Sequence, residues 1–230
     1  METTVKTGTL CWSCKAEAGA THFCAVCGKI QPLPPGTDHF AFFGVPRKLR
    51  VDAVELEQRF HQLSWKLHPD NFVRASESER ELSLDRSSQL NDAFRTLRDP
   101  VRRVEYLLAL EGMRKEGTTK QQAPPELLEE VFELNESLDE LRSARQAGGS
   151  ADEMAALRAR LETAQHSFEE KLRDVDAELE TTFARWDAAL DSRATPDARR
   201  ALMMEMNEIL NCRSYIRNLV ENVKKELAEA

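Results

Sequence analysis

The sequence predicts an all-α protein: a compact helical unit followed by an antiparallel three-helix bundle, with a small four-cysteine element at the N-terminal end. Three observations carry this expectation. Apolar residues recur at helical spacing through most of the chain after residue 52. Proline and glycine clusters divide the chain into blocks. Four of the five cysteines fall in residues 1–31, which hold little else that could make a core. The expected segments are a cysteine element over 1–31, a Pro-rich linker over 32–37, a helical unit over 38–113, a polar linker over 114–125 and a three-helix domain over 126–230.

Composition narrows the classes of function. Of 230 residues, 41% are hydrophobic and 31% charged, the profile of a soluble, charge-rich helical protein. A net charge of −8 argues against nucleic acid or an anionic membrane as the main partner. No apolar run approaches the roughly 20 residues of a membrane span. Met1 to Leu10 lack both the apolar core of a secretory signal and the Arg-rich character of a transit peptide. The expected compartment is the bacterial cytoplasm, or the mitochondrial matrix for a processed eukaryotic chain.

In the first segment, Cys11-x2-Cys14 and Cys24-x2-Cys27 are separated by nine residues. Each Cys-x-x-Cys turn places two thiolates on one side of a tight loop, so the two together close a tetrahedron suited to one structural Zn²⁺ per chain. Gly28 supplies the unusual backbone angles that such a turn needs. Two disulfides and a redox or iron site are the competing readings. About 30 residues cannot build a sufficient core alone, and a metal would supply the folding energy. Pro32-Leu33-Pro34-Pro35-Gly36 reads as a stiff linker that separates this element from the other cores.

The helical unit opens with Phe40, Phe42 and Phe43. Asp52 with Glu55 reads as a capping box, and Leu56, Phe60, Leu63 and Leu67 follow at helical spacing. That helix should stop at His68, because the residue before Pro69 is pushed out of the α region. A second amphipathic helix is expected over 82–98, with Leu90, Ala93, Phe94 and Leu97 on its apolar side. A third takes Asp99 as N-cap, Pro100 as first residue and Gly112 as stop. Two antiparallel helices joined by an exposed His68-Pro69-Asp70 loop resemble a J-domain, the part of a co-chaperone that activates a DnaK-type ATPase. Arg59, Gln62 and Lys66 share one face of the preceding helix, either to meet an acidic partner or as an ordinary solvated face.

In the last segment, Leu127, Val131, Leu134, Leu138 and Leu141 form one stripe, ended by Gly148-Gly149. Met154 to Leu190 forms a second and Leu202 to Leu227 a third, which together give the bundle. Cys212 reads as an inert core cysteine. Leu128 and Phe132 lie about 100° off the first stripe, among Glu129, Glu133, Glu136 and Glu140. They form either a partner site with an apolar centre or part of a broad core-facing face, and Tyr215 could extend either surface.

The order of these parts is similar to that of the HscB-type J-protein co-chaperones of iron–sulfur cluster assembly, in the form with an N-terminal four-cysteine zinc element. The residues that carry the resemblance are His68-Pro69-Asp70-Asn71-Phe72, Asp38-His39-Phe40, Gln89 to Leu97, Glu105-Tyr106-Leu107-Leu108 and Glu133-Leu134-Asn135-Glu136. The resemblance implies a non-enzymatic job: stimulating a DnaK/HscA-type ATPase and delivering the scaffold protein IscU to it. It places the scaffold-binding patch on Leu128, Phe132, Glu133, Glu136, Glu140 and Tyr215, and departs from the family at Glu129, where an apolar residue is usual. No nucleophile constellation or phosphate loop argues for an enzyme. The alternatives are a general J-domain adaptor that binds unfolded chains, and a metal-transfer or redox protein using the four cysteines.

Overall fold

The computed structural model describes residues 10–19, 21–114 and 124–229. The stretch before Leu10 and the polar connection Lys115 to Ala123 lie outside the described residues. The chain forms two compact units, residues 1–103 and 104–230.

The first unit begins with two short hairpins, closed by antiparallel bridges between Leu10 and Glu17 and between Phe23 and Ile30. Among the described residues these bridges are the extent of β structure, and every other regular element is helical. Helix α1, His39–Phe43, is capped by Asp38, whose Oδ1 accepts the Ala41 N–H at 2.8 Å while Oδ2 takes Arg47 Nε at 3.0 Å and an Arg47 Nη at 2.6 Å. It buries Phe40, Phe42 and Phe43. Helix α2, Ala53–Leu67, starts at Asp52, which accepts from the backbone of Val54 and Glu55. Glu55 does not close the expected capping box; its carboxylate pairs with Arg59 instead, at 2.7 Å.

Helix α3 spans Glu77–Arg98, five residues longer at its start than the apolar spacing indicates. Its capping box is Ser76 with Glu79: each side chain satisfies the other residue's backbone N–H. The first turn carries no apolar stripe because its inward positions are polar. Glu79, Ser83 and Arg86 are all buried, and apolar packing begins only at Leu90. Helices α2 and α3 pack together, with Phe60 stacked on Phe94 at 4.2 Å between ring centres. Helix α4, Pro100–Leu110, begins after Asp99, whose Oδ1 accepts from Val101 and Arg102.

The cysteine element is not held away from the helices by its linker. Pro34-Pro35-Gly36-Thr37 forms a tight turn: Gly36 has φ +77°, and the Thr37 N–H donates to Pro34 O at 3.2 Å. Proline at the second position and a left-handed glycine at the third are what a type II turn requires. The chain therefore folds back. Lys29 Nζ pairs with buried Glu79 at 2.9 Å, His22 packs edge-on against Phe42 while its Nε2 meets Phe42 O at 2.9 Å, and Ile30 is fully buried.

The second unit takes α4 from Val104 onward and holds α5, Leu128–Ala147, α6, Ala151–Asp191, and α7, Pro196–Glu229. Short connections at Gly148–Ser150 and Ser192–Thr195 make them an antiparallel bundle. Gly148, in the left-handed region at φ +71°, ends α5. At 1.5 Å per residue the 41 residues of α6 span about 60 Å. One core joins all three helices, through Leu134, Leu138 and Leu141, Leu161 and Phe168, and Ile216, Val220 and Val223. Cys212 is packed against this core, and burial, aided by the charges of Glu126 and Glu178, pushes its thiol up, consistent with an inert residue. Arg114 anchors the end of the α4 segment to α7, donating to the Oδ1 atoms of Asn207 and Asn211, both at 3.0 Å.

Candidate functional site

The His68-Pro69-Asp70 loop is a rigid, exposed turn. Helix α2 ends at His68, and Pro69–Phe72 forms one 3-10 turn. Pro69 forbids the α conformation at His68 and lacks the N–H that the helix would need, so the chain leaves α2 there. Phe72 is buried and anchors the turn from below. Ser83 and Ser87 of α3 both donate their hydroxyls to Leu67 O, at 2.7 and 3.1 Å, satisfying a carbonyl that the helix end leaves open. Asn71 Nδ2 donates to Trp65 O at 2.6 Å. On this frame the Asp70 side chain is 84% exposed, and the Asp70 N–H donates to His68 Nδ1 at 3.3 Å. The hydrogen bonds thus fix the turn, while the Asp70 carboxylate stands in solvent with Oδ2 3.5 Å from His68 Nδ1.

The three residues expected beside the loop differ in their engagement. Gln62 and Lys66 are exposed. Arg59 is half-buried and pinned, with one Nη on Phe43 O at 3.1 Å and its other nitrogens on Glu55. It ties α2 to the end of α1. Sequence reasoning passed over Ser83 and Ser87, whose polar character at helical spacing is the only signal they give, and quoted Asn71 only as part of the motif, without its bond to Trp65 O.

On α5, Leu128 and Phe132 are 55% and 71% exposed, whereas Leu127, Val131 and Leu134 are buried. The off-stripe pair is thus free of the core. Glu129, Glu133, Glu136 and Glu140 are exposed beside it. Glu133 and Glu136 line an open groove of about 840 Å³ between α5 and α6, floored by Leu134, Ala164 and Phe168. Arg160 of α6 crosses this groove to Glu140, at 2.7 Å, and to Ser137 Oγ, at 3.0 Å. Tyr215 is half-buried against the bundle core.

The four sulfurs of Cys11, Cys14, Cys24 and Cys27 lie within 4.8 Å of one another. Cys11 and Cys27 are 3.6 Å apart and Cys14 and Cys24 3.7 Å, far beyond a disulfide bond, and all the cysteines are free. A tetrahedron with metal–sulfur bonds of about 2.3 Å has edges of about 3.8 Å, so the set fits a four-coordinate metal. The two turns are alike. The Cys14 N–H points at Cys11 Sγ and the Val26 N–H at Cys24 Sγ, both at 3.4 Å, and the left-handed position after each pair is Lys15, φ +62°, or Gly28, φ +69°. Burial pushes the Cys11 thiol up, but the N–H groups of Cys14 and Ser13 and the adjoining thiols outweigh it, bringing it down to about 6. At Cys14 the Ala16 N–H pulls down, yet burial and the other three sulfurs push the thiol up to about 12. A cation among the four sulfurs would compensate the charge that their thiolates accumulate.

Paired helices, an anchored His-Pro-Asp turn, a helical bundle and four cysteines placed to hold a metal are the parts that the resemblance to J-domain co-chaperones implies. Comparison with known proteins carries this further, although no family model matches the chain. It is 36% identical over 137 residues to the mouse "Iron-sulfur cluster co-chaperone protein HscB", spanning 58% of that protein's length. It is 34% identical over 154 residues to the "Co-chaperone protein HscB homolog" of Vibrio vulnificus strain YJ016, covering 85% of it, and 36% identical over 166 residues to that of Azoarcus sp. strain BH72, covering 86%. The crystal structure of human co-chaperone protein HscB superposes with a TM-score of 0.60 at 27% identity, over 94% of this chain and 98% of that one. The chain belongs to the HscB family of co-chaperones.

Proposed function

We propose that this protein stimulates ATP hydrolysis by a DnaK/HscA-type chaperone and delivers to it the iron–sulfur scaffold protein IscU, carried on the C-terminal bundle. The observation that carries the reading is the exposed Asp70 carboxylate on an anchored turn. In this role His68 and Pro69 set the turn, Asp70 meets a basic group on the ATPase, and Gln62 and Lys66 extend the contact. Stimulation means stabilising the hydrolysis-competent state of the partner; each 1.36 kcal/mol taken from its barrier is about tenfold in rate. The mouse relative's name supplies the iron–sulfur assignment.

Leu128 and Phe132 serve as the apolar centre of the scaffold site, with Glu133, Glu136 and Glu140 as its rim. Glu129, exposed beside Leu128, limits the apolar centre to two side chains. So small a patch suits one folded client better than assorted unfolded chains, which favours a dedicated adaptor over a general one. Cys11, Cys14, Cys24 and Cys27 hold one structural Zn²⁺, which would fix the two hairpins and leave no ligand position for a substrate. The compartment is the bacterial cytoplasm, or the mitochondrial matrix in a processed eukaryotic form. Adding the protein to a cognate DnaK-type chaperone should raise its steady-state ATPase rate severalfold, and adding IscU should raise it further. An unchanged rate with both present would refute the proposal.

A further inference from the structure

Among the described residues Trp65 is the most exposed of the large apolar side chains, at 80%, and it stands one turn before the His-Pro-Asp loop. It is not a stray surface residue. Val54, Gln58, His61 and Trp65 fall within about 60° of one another on α2, on the side opposite the buried Leu56 and Leu67. Val54 is 64% exposed and the His61 side chain 69% exposed. Trp65 O is the acceptor of the Asn71 side-chain bond, so the turn carrying Trp65 and the turn carrying Asp70 share one frame.

The charge beside this row is equally distinctive. From Arg59 to Pro69 the chain carries Arg59 and Lys66 and no carboxylate, inside a protein of net charge −8. Lys66 has no ion pair among the described residues. Over the last two turns of α2 a partner that reaches Asp70 therefore meets an exposed indole and the unpaired Lys66 with no carboxylate between them, the reverse of the acidic patch around Phe132; the charges of the earlier turns are balanced, Glu55 by Arg59 and Glu57 beside His61. Tryptophan is among the residues that most often dominate an interface, because it offers a large apolar face with a polar N–H at its edge.

We propose that Trp65 is the apolar anchor by which the J-domain docks on the DnaK-type ATPase, inserting into an acid-rimmed apolar recess of that partner while Lys66 meets the rim. This rests on the proposed co-chaperone function and adds the residue that sets affinity, as distinct from Asp70, which triggers hydrolysis. The test is a titration of the full-length protein against the ATPase, reading both the maximal stimulation and the concentration that gives half of it. Trp65→Ala should raise the half-maximal concentration about tenfold with maximal stimulation retained, Trp65→Phe should recover most of the loss, and the thermal melt should not move. Asp70→Ala, run alongside, should remove the maximum itself. An unshifted half-maximal concentration for Trp65→Ala, with Asp70→Ala inactive, would overturn the anchor and leave the co-chaperone reading standing. Full stimulation by Asp70→Ala would instead strike at that reading. Loss of self-association on Trp65→Ala, seen by sedimentation, would assign the indole to a second copy of this chain and likewise overturn the proposal.

Discussion

Between Leu10 and Gln31 the clustered core is Cys11, Ala18 and Cys24, while the C-terminal bundle buries a continuous cluster running from Leu127 to Val223. The bundle gains roughly 1.5–3 kcal/mol for each large apolar side chain it removes from water, which suffices to hold three long helices without further help. The cysteine element has no such reserve. In the proposed reading its folding rests on a cation held by the four sulfurs, together with docking against α1 through His22 and against α3 through Lys29. One chain thus contains a region organised by ligand chemistry and another organised by periodic burial, and they should fail under different stresses.

Metal removal separates them most sharply. A chelator should unfold residues 10–31 completely, because structural zinc in small domains contributes about 10–16 kcal/mol of folding free energy. Loss of the docking contacts should also lower the melting temperature of the J-domain, which the expectation of an isolating linker did not include. The bundle should keep its helicity. Circular dichroism with elemental analysis checks this, and a bundle that melts on chelation would erase the distinction.

The next largest effect lies in the bundle. Leu141→Ala should cost about 2–5 kcal/mol, since it empties a fully buried site. Leu128→Ala with Phe132→Ala should leave the melt unchanged and weaken IscU binding about tenfold or more in calorimetric titration. A large loss of stability in that double variant would return both residues to the core. Lys29→Ala, read by chemical denaturation of the J-domain, should cost about 1–2 kcal/mol; Glu79 keeps its Ser76 bonds, and Lys29 is half exposed.

Acid gives the smallest contrast. Glu226 is held below its ordinary value of 4.5 by the Arg142 guanidinium, so its contribution is fully present above pH 4.5 and is lost as pH falls through the lowered value. The bundle's melting temperature should therefore be flat from pH 7 to pH 5 and fall below 4.5. The metal should leave the cysteines at higher pH than that, because the ligands must be deprotonated to hold it. Metal release and bundle melting that coincide along a pH titration would contradict the separation.

How much was legible follows the same divide. The helices of the bundle, the Asp99-Pro100 start of α4 and the Cys-x-x-Cys pairs are local or periodic signals, and they stand where the sequence placed them. The start of α3 was hidden because its first inward positions are Glu79, Ser83 and Arg86, which carry no apolar period; the Ser76-x-x-Glu79 pattern was the available clue. The docking of the cysteine element was not legible. It rests on pairs distant in sequence, Lys29 with Glu79 and His22 with Phe42, and on a Pro-Gly turn whose composition reads equally as a spacer. Of the expected site residues, Arg59 shows the same limit: helical spacing set it on the α2 face, but only the fold reveals that Glu55 and Phe43 O already occupy it.

The most direct test of the central claim is single-turnover ATP hydrolysis by the cognate DnaK-type chaperone with wild-type protein and with Asp70→Ala. The exposed, anchored carboxylate should be the trigger, so wild type should accelerate hydrolysis and Asp70→Ala should not, while the variant keeps its melting temperature and its affinity for IscU. Full acceleration by a folded Asp70→Ala variant would contradict the account.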